Sequence, residues 1–264
     1  MTRNPVLLSG FIISKDEADR IVETIVSIRD FCDEIIVVDS GSTDDTVAVS
    51  KAAGARVVHQ DFLGYGPQKR FAEDLCKHDW VLNVDADEPM TKEAQEEIAG
   101  LLQSGKVEDF DCWIIRRRDV YPHEDEPASW AYYHDQIRLY DRRKSRFAES
   151  TVHDSVIAGQ GATVGRLKGV LGHRSHRDIN FQVTKFNRYA EMQVADLIAR
   201  GRRLPRWRLL TEFPLSFLKA YFIRRHFLYG FWGFSISISY AYSRFLRVAK
   251  FHEAELQGRV KSGR

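Results

Sequence analysis

The chain has 264 residues, 44% hydrophobic and 12% aromatic, with a formal net charge of +2. That length allows one substantial α/β domain with an appendage, and the aromatic content excludes a disordered chain. The near-neutral balance excludes a global polyelectrolyte, and three well-separated cysteines, Cys32, Cys76 and Cys112, exclude a disulfide framework or paired-cysteine zinc site.

Residues 6–13 form a short apolar run, which predicts a buried strand. Ser14-Lys15-Asp16-Glu17 follows with capping-box spacing. Ile21, Ile25 and Ile28 then recur at helical spacing. Residues 34–38, rich in β-branched side chains, predict a second strand. Ser40 to Thr43 predict a turn and helix cap, residues 46–53 a short helix and residues 55–59 a third strand. A helix is expected over 68–77, a fourth strand over 80–84 and a further helix over 91–102. This β-α-β-α order, with near-continuously apolar strands, implies a parallel sheet covered on both faces. Ligands of such sheets sit beyond the carboxyl ends of the strands. That rule selects Ser14 to Glu17, Asp39 to Ser42, and Asp85 to Glu88.

Residues 111–117 predict another strand. Residues 118–132 are polar and contain proline, and are read as a long loop over the site. Strands are expected over 136–140 and 164–171, and Asp178 should cap a helix running to about Arg200. Pro205 and Pro214 bracket a junction, after which residues 215–251 are helical, aromatic and basic. The expected division is a catalytic domain over 1–200, with a nucleotide-binding half 1–105 and an acceptor half 106–200. A helical extension over 201–264 follows.

Asp85-Ala86-Asp87 places two carboxylates one residue apart at a strand end. One can reach a divalent cation, the other a ribose hydroxyl or a metal-bound water. Mg²⁺ and Mn²⁺ bind oxygen ligands, commonly one or two carboxylates plus substrate phosphates. Asp39 ends its strand before a Ser-Gly-Ser turn. Asp44 and Asp45 crowd the following helix terminus with negative charge, so a phosphate cradle is disfavoured there. Asp39 suits a base N–H or a sugar hydroxyl.

In combination these segments resemble family 2 glycosyltransferases of the GT-A fold. The resemblance rests on Ser14-Lys-Asp-Glu-Ala18, on Glu34-Ile-Ile-Val-Val-Asp-Ser-Gly-Ser-Thr-Asp-Asp-Thr46 and on Asn83-Val-Asp-Ala-Asp-Glu88. More narrowly the chain resembles the lipopolysaccharide core β-1,4-glucosyltransferase group. That likeness extends to Gly64-Tyr-Gly-Pro-Gln-Lys-Arg70, Arg138-Leu-Tyr140, Val152-His-Asp154 and Phe227-Leu-Tyr-Gly-Phe-Trp-Gly233. It implies a GT-A, mostly parallel sheet flanked by helices, and an inverting, metal-dependent transfer of a glucose-type hexose from a UDP-type donor. It implies Asp39 on the base, Asp85 on the ribose and Asp87 on Mg²⁺ or Mn²⁺, with His173 at a position that can face the metal. Ser14 and Glu17 complete the nucleotide set. Lys69 falls where relatives often have an arginine, and its charge suits a phosphate without a bidentate contact. Arg138 is expected on the diphosphate or the acceptor. Relatives usually carry asparagine at Asp16 and glutamate at Asp154.

Inverting transfer needs a general base for the acceptor hydroxyl. Asp154 is the expected base, and His153 either orients it or contacts the donor. From residue 213 onward, Phe217, Tyr221, Phe222, Phe227, Tyr229, Phe231 and Trp232 alternate with Lys219, Arg224, Arg225 and His226. That mixture suits either an anionic membrane surface or packing against the catalytic domain. The implied partners are a nucleotide-sugar donor and a cell-envelope glycan or lipid-linked acceptor. No nucleic-acid motif accompanies the basic tail. No signal-peptide layout opens the chain, and no window holds the roughly 18–20 apolar residues of a membrane span. A cytoplasmic setting is therefore expected, with peripheral contact at the inner membrane face left open. Two other readings compete. A sugar-nucleotide-forming nucleotidyltransferase is disfavoured because Ser14 to Glu17 lacks a glycine-rich loop. A non-catalytic nucleotide-binding module would be distinguished by nucleotide-binding calorimetry.

Overall fold

The computed structural model describes residues 6–148 and 155–258. Strand and helix alternate through β1 (Leu8–Ser14), α1 (Ile21–Ile28), β2 (Glu34–Asp39), α2 (Thr46–Ala52), β3 (Arg56–His59), α3 (Tyr65–Asp74), β4 (Trp80–Asn83) and α4 (Lys92–Ser104). Then come β5 (Cys112–Asp119), β6 (Tyr133–Asp141), β7 (Ser145–Phe147), β8 (Val156–Ala158) and β9 (Val164–His173). Three more helices follow: α5 (Ile179–Ala199), α6 (Arg208–Leu218) and α7 (Gly230–Leu256), with a π turn and a 3₁₀ turn between the last two.

The main sheet has seven strands in the order β3-β2-β1-β4-β6-β5-β9. β3, β2, β1 and β4 are parallel, β6 runs antiparallel to both neighbours, and β9 is parallel to β5. The expected mostly parallel, helix-flanked α/β architecture is therefore present. Strand alternation splits the core. Ile35 and Val37 join Leu8, Ile12 and Leu82 against Ile25 of α1 and Ile98 of α4, while Ile36 and Val38 join Phe11 and Val81 against Ala72 of α3. Each such fully buried aliphatic side chain contributes about 1.5–3 kcal/mol.

The capping box at Ser14 does not form. Ser14 is the last residue of β1 and pairs in register with Asp39 of β2, and α1 begins only at Ile21, after an Arg20 without side-chain capping. Tertiary pairing overrides the local signal. Helix α3 starts three residues earlier than expected, because Gly64 at φ 100° turns the chain into it. Pro214 lies inside α6 rather than at a junction. The expected loop over 118–132 is shorter, since β5 continues through Asp119. The three-residue pair β7–β8 was not expected.

The chain forms two compact units. The first runs to Val120 and includes 126–128 and Tyr133–Arg174. The second takes Tyr121–Asp125, Ser129–Tyr132 and everything from Ser175. In the second unit Val194 of α5 packs with Val248 and Phe251 of α7. Asp178 caps α5 as expected, accepting from the Phe181 amide. Two loop aromatics, Tyr121 and Trp130, pack on Tyr229 with ring centroids 4.0 and 4.6 Å apart. Gly233 is required there: a Cβ would stand 1.8 Å from the His226 carbonyl oxygen.

Candidate active site

The register of β1, β2 and β4 brings three chain turns to one edge. Ser14 pairs with Asp39, and Phe11 with Asn83, so β4 ends beside β1 and hands the chain to Asp85. The Ser14 hydroxyl donates to Asp39 Oδ1 at 3.2 Å. The Gly41 and Ser42 amides donate to Asp39 Oδ2 at 3.0 and 2.9 Å, and the Ser42 hydroxyl donates to Oδ1. Asp39 is buried, and its carboxylate shapes the Ser-Gly-Ser turn. Opposite, Asp16 sits at φ 55° and accepts from the Thr43 amide at 2.8 Å. Asp and Asn tolerate that left-handed conformation better than other residues with a side chain. This gives the Asp16 position a backbone role.

Asp85 to Glu88 form a turn closed on itself. The Asp85 amide donates to Glu88 Oε2 at 3.1 Å, and the Thr24 hydroxyl donates to the Ala86 carbonyl at 3.0 Å. Ala86 itself is buried in the main core. Asp85 is gripped by two cations. Lys69 Nζ lies 2.7 Å from Oδ1 and Arg138 Nη2 lies 3.1 Å from Oδ2. Arg138 also donates to Asn83 Oδ1 at 2.6 Å and to Glu88 at 2.6 Å, and Arg117 adds a 3.2 Å contact to Glu88. Burial alone would raise the Asp85 pKa. Lys69 and then Arg138 oppose it and hold the carboxyl far below the ordinary range.

Lys69 and Arg138 are only 1% and 3% exposed, whereas Asp85 keeps 24% of its side chain exposed. Arg138 is therefore no solvated surface arginine. Both cations hold Asp85 ionised and aimed, and the carboxylate is the group left facing outward.

Asp87 points to a different set. His173 Nε2 lies 3.7 Å from Asp87 Oδ2, and His173 Nδ1 lies 2.8 Å from Asp119 Oδ1. A carboxylate only accepts, so Nδ1 carries a hydrogen, and Nε2 is the nitrogen turned towards Asp87. Arg20 Nη1 stands 3.6 Å from the same Asp87 oxygen and is held by the Glu17 carboxylate and by the Arg174 carbonyl at 2.8 Å. Glu17 thus acts through Arg20. Burial disfavours the Arg20 charge, but Glu17 and Asp87 more than offset it and raise its pKa.

A short backbone ladder fixes this pair. The Arg174 amide donates to the Asp87 carbonyl, the Gly172 amide to Pro89 and the Thr91 amide to Val170, at 2.9, 2.9 and 3.1 Å. The stretch after Asp87 therefore runs alongside β9, which ends at His173.

Adjacent ligands about 2.1 Å from one octahedral ion stand about 3 Å apart, and the 3.7 Å between Asp87 Oδ2 and His173 Nε2 approaches that spacing. Among the described residues no three His, Cys, Asp or Glu side chains converge on one point. The remaining positions on an ion would fall to diphosphate oxygens and water, the usual arrangement for Mg²⁺.

Of the residues expected at the site, the structure brings Ser14 beside Asp39, Lys69 and Arg138 onto Asp85, and His173 beside Asp87. His153 and Asp154 lie outside the described residues. Asn83, Glu88, Arg117, Asp119 and Arg20 were not assigned from sequence. Glu88 had a signal, standing three residues after Asp85 and able to close the turn. Asp119 had none, because it meets His173 only through the register of β5 with β9.

Beside Arg138 a cavity of ≈ 230 Å³ is lined by Ile114, Gln136, Ile137, Phe147 and Val156, with Asp135 and Ser155 completing its wall.

The family model described as Glycosyl transferase family 2 matches residues 9–159. An "uncharacterized glycosyltransferase" of Rickettsia felis is 41% identical over 259 residues, covering 96% of this chain and 92% of that protein. The lipopolysaccharide core biosynthesis glycosyltransferase LpsC of Rhizobium meliloti is 30% identical over 252 residues, covering 93% and 92%. Among solved structures, glucosyl-3-phosphoglycerate synthase from Mycobacterium tuberculosis with Mn²⁺, UDP and its product aligns at 26% identity. It covers 45% of each chain with a TM-score of 0.33.

Proposed function

The chain belongs to glycosyl transferase family 2, and from that premise we propose an inverting, metal-dependent hexosyltransferase using a UDP-type donor. The acceptor is a cell-envelope glycan or a lipid-linked one of the lipopolysaccharide-core kind, a reading supported by the likeness to LpsC. The observation that carries the proposal is the division of labour in the Asp85-Ala86-Asp87 turn. One carboxylate is pinned by Lys69 and Arg138, and the other faces an imidazole whose far nitrogen is fixed by Asp119.

In this reading Asp87 and His173 would hold Mg²⁺ or Mn²⁺, which would supply Lewis-acid neutralisation of the departing diphosphate. Asp85, kept ionised, accepts hydrogen bonds from the ribose hydroxyls. Asp39 and Ser14 form the floor for the base, and Glu17 steadies Arg20 behind Asp87. Lys69 and Arg138 act on the donor through Asp85, adding positive charge near the diphosphate. Asp154 takes the proton of the acceptor hydroxyl, with His153 orienting it or touching the donor. The acceptor oxygen bonds to the anomeric carbon as the bond from that carbon to the phosphate oxygen breaks. The nucleoside diphosphate leaves and the configuration inverts.

The test is a donor panel: nucleoside diphosphate release is measured with an acceptor extract, for wild type and Asp87→Ala. The variant should lose transfer by roughly a hundredfold or more and lose metal-dependent nucleotide binding in calorimetry, with unchanged circular dichroism. Wild-type-like transfer by the variant would sink the assignment.

A further inference from the structure

The second unit carries a surface of inverted polarity. Glu212, the only acid between Asp196 and Glu253, faces inward on α6 and is 6% exposed. It holds Arg208, Arg247 and Arg244 at 2.7, 2.9 and 3.1 Å. The outward positions are apolar. Leu210 is 82% exposed, Ile223 75% and Phe231 72%. Leu215, Leu218 and Phe222 recur at the spacing of one helix face and are also exposed. A helix facing water shows the opposite pattern, with polar residues outside.

Part of this apolar face is continuous. Phe217, Tyr221, Phe222, Phe227 and Phe234 form a chain of rings, with neighbouring centroids 5.2 to 6.4 Å apart. Breaks in the helix display them. Arg225 at φ 61° and Gly230 at φ 54° interrupt the backbone between the π turn and α7. Phe222, Ile223 and Phe227 therefore project from short turns.

The charge around this patch selects its occupant. Arg206, Lys219 and Arg225 are exposed beside it, and no exposed acid lies anywhere from 197 to 252. A second copy of the chain docked symmetrically would set these cations against their own kind, with no acid to pair them. An anionic bilayer supplies both the missing negative charge and an apolar layer beneath it. No helix among the described residues is long and apolar enough to cross a membrane, so such contact is confined to the bilayer surface.

We propose that this face of α6, the two turns and the start of α7 seats on a bilayer surface containing anionic lipid. Phe222, Ile223, Phe227 and Phe231 enter the boundary between headgroups and acyl chains, while Arg206, Lys219 and Arg225 meet lipid phosphates. The proposal stands apart from the transferase reading, because vesicle binding is measured without donor or acceptor.

The full chain is sedimented with vesicles of phosphatidylcholine, alone or mixed with phosphatidylglycerol. Wild type should bind the mixed vesicles and bind neutral ones far more weakly. The double variant Phe222→Ser, Ile223→Ser should lose roughly tenfold or more in partition on mixed vesicles. Arg206→Glu with Lys219→Glu should lose roughly tenfold on mixed vesicles and little on neutral ones. Leu256→Ser, exposed at the far end of α7, should bind as wild type. If the apolar double variant alters the circular dichroism, the charge variant decides. Wild type that fails to sediment with either vesicle overturns the proposal. So does a dimer in sedimentation velocity that Ile223→Ser dissolves, which would assign the face to a second copy.

Discussion

Two buried ionic clusters, one in each unit, use the same chemistry to opposite ends. At the end of β4, Lys69, Arg138 and Arg117 surround Asp85 and Glu88, and Asp85 keeps an exposed edge. On α6, three arginines surround Glu212, and the carboxylate is hidden. In the first cluster the cations serve a carboxylate that faces outward. In the second the carboxylate serves the cations, drawing them into the packing of α6 on α7 so that the outer face can be apolar. Charge burial by itself therefore does not mark a site. What marks one is which partner is left facing outward.

Removing the central acid from each cluster breaks the comparison most sharply. Glu88→Ala leaves the buried Arg138 and the half-buried Arg117 without it, and should cost about 3–5 kcal/mol in urea unfolding while weakening nucleotide binding. Glu212→Ala leaves arginines that reach water more easily. It should cost less, about 1–3 kcal/mol, and leave nucleotide affinity unchanged. Equal losses of nucleotide binding in the two variants would erase the distinction.

A smaller effect is expected at Asp119, whose carboxylate orients His173. Asp119→Asn should raise the metal concentration needed for half-maximal nucleotide binding by roughly 10–100-fold. Unfolding stability should move by no more than about 0.5 kcal/mol. An unchanged metal requirement would remove His173 from the proposed ion site.

The smallest expected effect is in pH dependence. The folded-state pKa of Asp85 is depressed, so its stabilising contribution is present above the unfolded value near 4 and is lost as pH falls towards the folded value. The stability gap between wild type and Asp85→Asn should be widest above about pH 4 and shrink below it. A gap that widens on acidification would show the sign to be wrong.

The parallel half of the sheet was legible because its strands are unbroken apolar runs, and the rule about strand ends then found Asp39 and Asp85 without chemistry. The onset of α1 was not, because Ser14 satisfies a local capping pattern yet is claimed by Asp39 across 25 positions. Sequence pointed to Lys69 and Arg138, but as groups for the substrate. Their burial against Asp85 depends on α3 and β6 packing under one turn, which no spacing encodes. Asp119 is invisible for the same reason. The aromatic and basic character of 213–232 was plain in the sequence. Which way Glu212 turned, and hence which side is apolar, was not.

The ladder that ties 87–91 to 170–174 has a consequence for how this protein can change over time. Its three bonds run between backbone amides and carbonyls, so a substitution does not by itself remove them. A change of length does. One residue inserted between Pro89 and Thr91, or deleted between Val170 and Gly172, slips the pairing and turns alternate side chains to the other face. His173 would then leave Asp87 even with every site residue intact. Relatives whose side chains differ elsewhere along these two stretches should nonetheless agree in their residue count.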